Sequence, residues 1–242
     1  MMSNYKSYVL LFLTTVLMAL SCEVLLAQKS KPLNLPNFDR KRIHFGFTLG
    51  INSMDFKMDQ DLRKVDSLTA LKTDSQSGFH IGIISALHFN KYFSLRFLPT
   101  LAFGQRNLEY TFEGNEGRSV VIKQVESTLI EFPFNVKYRS ARYNNFAMYL
   151  VAGAKYSLDL ASDKSTDNDV PELEQLVRLQ QNSYSWEVGF GFDFFLEYFK
   201  FSPELKYSRG FDNVLIKENT IWSSPINKLQ PAMIMINFNF EG

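Results

Sequence analysis

Residues 43–52 read IHFGFTLGIN, and Ile43, Phe45, Phe47, Leu49 and Ile51 alternate there with His44, Gly46, Thr48, Gly50 and Asn52. Successive side chains of an extended strand point to opposite faces, so the pattern makes one face apolar and builds the other from glycine, hydroxyl, amide and imidazole. A strand with one dry face needs a protein core or a lipid bilayer against it. Which of the two applies decides what the protein can do.

The period of two recurs about eight times along the chain. It returns in 78–89 (GFHIGIISALHF), 93–104 (FSLRFLPTLAFG), 120–138, 146–159, 184–198, 199–209 and 229–240. The clearest copy is YSWEVGFGFDFFLEY (184–198), where Tyr184, Trp186, Val188, Phe190, Phe192, Phe194 and Leu196 oppose Ser185, Glu187, Gly189, Gly191 and Asp193. Connections alternate in length. Those at 90–92, 140–145 and 197–199 are tight, whereas 53–77, 160–183 and 210–228 are long and polar, and 113–119 (EGNEGRS) is a short member of the second set. All short turns at one end and all long loops at the other describe an all-β, transmembrane, antiparallel up-and-down barrel of about 8 strands, with periplasmic turns and extracellular loops.

The first residues support export. Lys6, an apolar run over 8–20 and small residues ending at Ala27 predict a signal peptide over 1–27, too short in its apolar part to span a membrane. The single cysteine, Cys22, follows Leu20 and Ser21, so lipid attachment at Cys22 stands as the alternative to cleavage after Ala27. In the preferred case no cysteine survives, and disulfide or thiol chemistry is excluded. The expected organisation is then a periplasmic arm over 28–42 and a barrel over 43–242. Net charge is +1, which favours neither nucleic acid nor an acidic surface as partner. Twenty-three phenylalanines against two tryptophans ask for a large apolar surface without helices.

A soluble barrel or sandwich would turn its polar row to water, where glycine weakens a strand. Here the polar rows are rich in glycine and alanine, which suits the crowded interior of a narrow barrel. Aromatic residues fall at two levels. Phe89, Tyr92, Phe93, Tyr138, Phe146, Tyr198, Phe199 and Phe240 lie near the short turns, and Tyr110, Phe112, Tyr156, Tyr184, Trp186 and Tyr207 near the long loops. Two girdles at two water interfaces predict an outer-membrane location with lipid as the partner of the dry face.

By parity Arg96, Glu131, Lys137, Lys155, Glu187, Asp193, Glu204 and Lys206, with Lys200, project into the lumen. They are expected to form a structural ion-pair network, since so narrow an interior leaves no channel and unpaired charges there are costly. An embedded hydrolase is the competing class, prompted by His44, His80 and His88 with Ser85 or Asp193. Ser85 falls in the lipid-facing row, and His44 and His88 near the periplasmic rim, so no catalytic, cofactor or metal residue is assigned. No small-molecule substrate is expected. NDVPELEQLVRLQQ (168–181) predicts a short loop helix with Asp169 as N-cap and Leu173, Leu176, Val177 and Leu179 along it. QKSKPLNLPNFDRKR (28–42) is basic and proline-broken, an arm without a core of its own and a possible tether to other envelope proteins.

IEFPFNVKYRS (130–140) and FSPELKYSRGF (201–211) resemble stretches of the Bacteroidota porin-like outer-membrane barrels. NFDRKRIHFGFTLGINSMDFKM (37–58) and SLRFLPTLAFGQRNLEY (94–110) resemble more narrowly the PorT/SprT family, an outer-membrane component of type IX secretion that also supports gliding motility. The resemblance implies a non-enzymatic part in exporting proteins beside other envelope components, with no conduit of its own. The alternative is a general OmpX-like structural or adhesion barrel that acts through its external loops.

Overall fold

The computed structural model describes residues 32–114, 117–162 and 177–242. The expected signal peptide and the start of the arm lie outside them. Among the described residues nine antiparallel strands follow one another: β1 (Ile43–Gln60), β2 (Leu68–His88), β3 (Phe93–Phe97), β4 (Thr100–Gly114), β5 (Gly117–Arg139), β6 (Phe146–Asp159), β7 (Asn182–Phe195), β8 (Lys200–Gly210) and β9 (Ile226–Glu241). β1 pairs with β2 on one side and with β9 on the other, so the sheet closes into a ring. β3 and β4 form one stave, since both lie between β2 and β5. Their ladder breaks at Leu98 and Pro99 because proline has no N–H to donate. Leu98 N–H still bonds Pro133 O at 3.2 Å and Ile83 N–H bonds Pro99 O at 3.0 Å, which carries the stave across the break.

The stretch 53–77, read from its polarity as a long loop, is mostly strand. β1 continues to Gln60 and β2 starts at Leu68, leaving a short connection in which Asp61 accepts from Arg63 N–H. The Arg63 guanidinium, which donates to the Asp61 side chain, and that backbone bond hold the Asp61 carboxyl below its usual value. The reason for the difference is an inversion of the alternation. Up to Ile51 the outward row of β1 is apolar and the inward row polar; from Ser53 on, Ser53, Asp55 and Lys57 face outward while Met54 and Phe56 are buried inside. β4 inverts in the same way, from outward Leu101 and Phe103 to outward Gln105, Asn107 and Glu109, with Leu108 and Tyr110 buried within. A wall whose outer face meets lipid below and water above must exchange its dry side at the interface.

The exchanged side chains build an apolar core at the long-loop end. Phe56, Leu68, Leu71, Leu108, Tyr110 and Trp222 lie at its centre. The loop 211–225 brings in Trp222, which is 1% exposed and receives a hydrogen bond on its carbonyl from Tyr110 Oη at 2.6 Å. Tyr110 and Phe112 therefore leave the expected girdle. Tyr110 is fully buried, and both rings meet the Trp222 indole edge-on. Tyr184 is exposed, and Tyr156, Trp186 and Tyr207 are half-buried, as outward neighbours of one another across β6, β7 and β8. At the other end Phe89, Tyr92, Phe93, Tyr138, Tyr198 and Phe199 are exposed on the outer surface. The loop helix expected over 168–181 falls for its greater part outside the described residues. Its last part is not helical: Leu179 forms an isolated antiparallel bridge with Leu215.

The described part of the arm packs into the barrel. A single 310 turn, Phe38–Arg40, places Phe38 inside the short-turn mouth at 4% exposure. Its ring stacks on His44 at 3.7 Å and meets His88 and Phe195 edge-on. Asn34 N–H donates to Asn145 Oδ1, its carbonyl accepts from Arg142, and Asp39 pairs with Arg139 at 2.8 Å. These three anchors, all on or beside the 140–145 connection, and a bond from Asn34 Nδ2 to Phe195 O hold this segment across the opening.

Candidate functional site

Inside the belt, every strand sends its polar row to the barrel axis. Two glycines allow large side chains to cross there: a Cβ on Gly50 would run into the His80 imidazole, and one on Gly191 into the Tyr149 ring. The nine charges expected in the lumen are all buried. Arg96 pairs with Glu204 at 2.8 Å, Lys137 with Asp193 at 2.8 Å, and Lys155 with Glu131 at 2.8 Å and Glu187 at 3.4 Å. Lys206 bridges Glu187 and Glu204 at 3.5 Å each. Lys200 joins through Glu241, at 3.0 Å, a partner that the strand pattern read to residue 240 left out. The cations Arg96, Lys137, Lys155, Lys200 and Lys206 thus face the anions Glu131, Glu187, Asp193, Glu204 and Glu241, and the signs balance.

Neutral groups add further bonds. Asn135 donates to Glu187, Asn237 to Glu204, and Ser202 to Asp193, while His80 Nε2 meets Asn237 Oδ1 at 2.7 Å. Lys137 Nζ also lies 3.5 Å above the Tyr149 ring. Toward the long-loop end the network gives way to Met54, Ala102, Leu129, Met233 and Met235, and then to the Trp222 core. Toward the short turns it ends at Phe38, with Lys200 Nζ 4.5 Å above that ring.

Little empty volume remains. A cavity of about 30 Å³ touches Arg106, Glu131, Lys155 and Asp159, and voids of about 10 Å³ lie beside His80 and beside Lys137. A water needs on the order of 10–15 Å³ of such space, so these are seats for single waters and not segments of a channel.

The histidines do not assemble with Ser85. That residue lies on the outer row beside Phe45 and Phe97, His80 is tied to Asn237, and His44 meets the carbonyls of Lys41 and Gly242. Among the described residues, no group of histidine, cysteine, aspartate and glutamate is arranged to hold a metal ion.

A closed ring of staves with an apolar exterior and a charged interior is the geometry of a membrane barrel. A family model described as outer membrane protein beta-barrel domain matches residues 26–215. The chain belongs to this outer-membrane β-barrel family. OprG of Pseudomonas aeruginosa is similar in structure, with 17% identity over 83% of this chain and 94% of that one and a TM-score of 0.44. Ail of Yersinia pestis follows with 12% identity over 84% and 100% of the two chains and a TM-score of 0.36. Neisserial surface protein A shows 13% identity over 80% and 95% with a TM-score of 0.38. No curated protein sequence gives a significant match. Membership of the family makes the chain an outer-membrane barrel whose exposed apolar row lies against lipid.

Proposed function

We propose that this outer-membrane barrel is a non-enzymatic component of type IX protein secretion and gliding motility, acting beside other envelope proteins. The observation that carries the reading is the closed lumen. A barrel blocked by Phe38 at one mouth, by Trp222 at the other and by a balanced ion-pair network between them is suited to support export and not to conduct it. In this reading Arg96, Glu131, Lys137, Lys155, Glu187, Asp193, Glu204 and Lys206 are structural. The stretches at 37–58 and 94–110 that resemble PorT/SprT supply the choice of machinery. Lipid is the partner of the outer face, and the short-turn end, with its anchored arm, is the part offered to periplasmic components.

The second reading, a structural or adhesion barrel of the OmpX type, is favoured by one observation. β1, β2, β4 and β5 rise past the point where their outer rows turn polar, which gives the external side a wall of its own. Co-purification separates the two. Tagged protein extracted from native outer membranes in mild detergent is expected to recover secretion machinery. Recovery of external ligands or lipopolysaccharide alone would favour the structural or adhesion barrel.

A further inference from the structure

Among the described residues, the wall above the lipid belt has no neighbour on one side of β5. β6 ends at Asp159, opposite Leu129, whereas β5 begins at Gly117 and rises well beyond that pair. Odd-numbered residues of β5 turn their backbone groups toward β3 and β4: Pro133 O accepts from Leu98 N–H, and Arg139 N–H donates to Tyr92 O. Even-numbered residues turn theirs the other way. Thr128 O accepts from Leu160 N–H at 2.8 Å, and Thr128 N–H donates to Asp159 Oδ1 at 3.3 Å. Beyond Thr128 the ladder to β4 continues without a register break to Gly114 and Gly117, so Glu126, Gln124, Ile122, Val120 and Arg118 keep that parity. Their N–H and C=O groups point away from β4 and have no backbone partner among the described residues.

The opposite edge of the same wall is covered. β9 extends past the end of its pairing with β8 at Arg209, and there Leu229 O accepts from Val214 N–H at 2.9 Å while the Gln230 amide donates to Gly210 O and Phe211 O. Natural sheets blunt a bare edge with proline, a bulge or an inward-pointing charge that spoils pairing. The stretch SVVIKQVE (119–126) is rich in β-branched residues and carries neither proline nor bulge. Lys123 faces inward and is engaged 4.2 Å above the Trp222 ring. Val120 and Ile122 are 50% and 54% exposed on the water-facing part of the outer row.

We propose that residues 118–126 of β5 are a strand-addition site that takes an extended segment of a different polypeptide on the long-loop side of the membrane. The outer row sets its chemistry. An antiparallel strand would carry an acidic residue opposite Arg118, β-branched residues opposite Val120 and Ile122, and a basic residue opposite Glu126. A second copy of this chain does not fit. Lipid holds two copies at one depth and in one direction, so their edges would meet parallel and level. A parallel ladder instead needs the bonding residues staggered by one position, about 3.3 Å. The inference rests on the barrel geometry and is independent of the secretion reading.

Amide hydrogen exchange of the full mature chain in lipid nanodiscs tests it. Without a partner, the amides of Val121, Lys123 and Val125 should be protected by the β4 ladder, and those of Val120, Ile122, Gln124 and Glu126 should exchange freely. The probe is the peptide Lys-Thr-Thr-Thr-Val-Thr-Val-Thr-Glu, which places its basic end opposite Glu126. It should slow the even-numbered amides about tenfold or more and leave the odd-numbered ones unchanged. Ile122→Pro removes a donor that the barrel does not use, so this variant should fold and lose the peptide response. Val121→Pro, which cuts the β4 ladder, is the control that should impair folding. Even-numbered amides already protected without peptide, protection that rises with protein concentration alone, no response to the peptide, or an equal response in folded Ile122→Pro would each overturn the proposal.

Discussion

Glu204→Ala is expected to destabilise the folded barrel by about 3–5 kcal/mol, the usual consequence of removing one partner of a buried charge pair. The Glu204 side chain is fully buried and its carboxylate lies 2.8 Å from Arg96, 3.5 Å from Lys206 and 2.8 Å from Asn237 Nδ2. Arg96 is 1% exposed, and after the substitution its guanidinium has neither carboxylate nor bulk water to replace the lost partner. The penalty therefore measures an orphaned cation and not the net worth of the pair. Replacing both members, as Arg96→Met with Glu204→Leu, removes the charge as well as its partner and should recover most of the loss. Urea-dependent folding into lipid vesicles, followed by tryptophan fluorescence, gives both values. A single variant that loses less than about 1 kcal/mol would mean that water reaches Arg96 and that the lumen is wetter than this packing implies.

Phe47→Arg is expected to cost about 2–4 kcal/mol, the penalty for a cation on the lipid face near the bilayer midplane. Phe47 is 49% exposed on the outer row and its ring stacks on Phe240 at 4.9 Å, so only part of its surface has protein against it. Ser53 lies further along the same row, after the alternation has inverted. Ser53→Arg should accordingly cost only about 0–1 kcal/mol. The contrast between the two sites reports depth, because both changes add the same side chain to the same face of one strand. Equal penalties in vesicles would place the lipid boundary elsewhere. Folding of Phe47→Asn in buffer without lipid or detergent would remove the bilayer from the account.

The staves were legible because a single physical rule, one face to lipid, writes a period of two into each of them. The lumen charges were legible for the same reason, since parity alone separates Lys137 from Tyr138 and Asp193 from Phe194. Legibility failed where the rule changes sign. Ser53, Asp55 and Lys57 look like loop when polarity is read without parity, although buried Met54 and Phe56 alternate with them. Tyr110 carries the same lesson, because its even number already placed it on the inward row of β4. Glu241 was missed at the last position of its strand, one residue beyond the apolar pattern. Phe38 had no periodic signal at all. It stands in a proline-broken arm, and its burial depends on His44, His88 and Phe195, which only the closed ring brings together.

Phe38, the ion-pair network and Trp222 shut the barrel along its axis. Single-channel recording of the purified full mature protein in planar bilayers tests this closure most directly, because the current depends on a continuous water column through the lumen. A bilayer that contains folded protein should show no stable conductance steps at moderate voltage. Reproducible, porin-sized steps from the unmodified protein would contradict it.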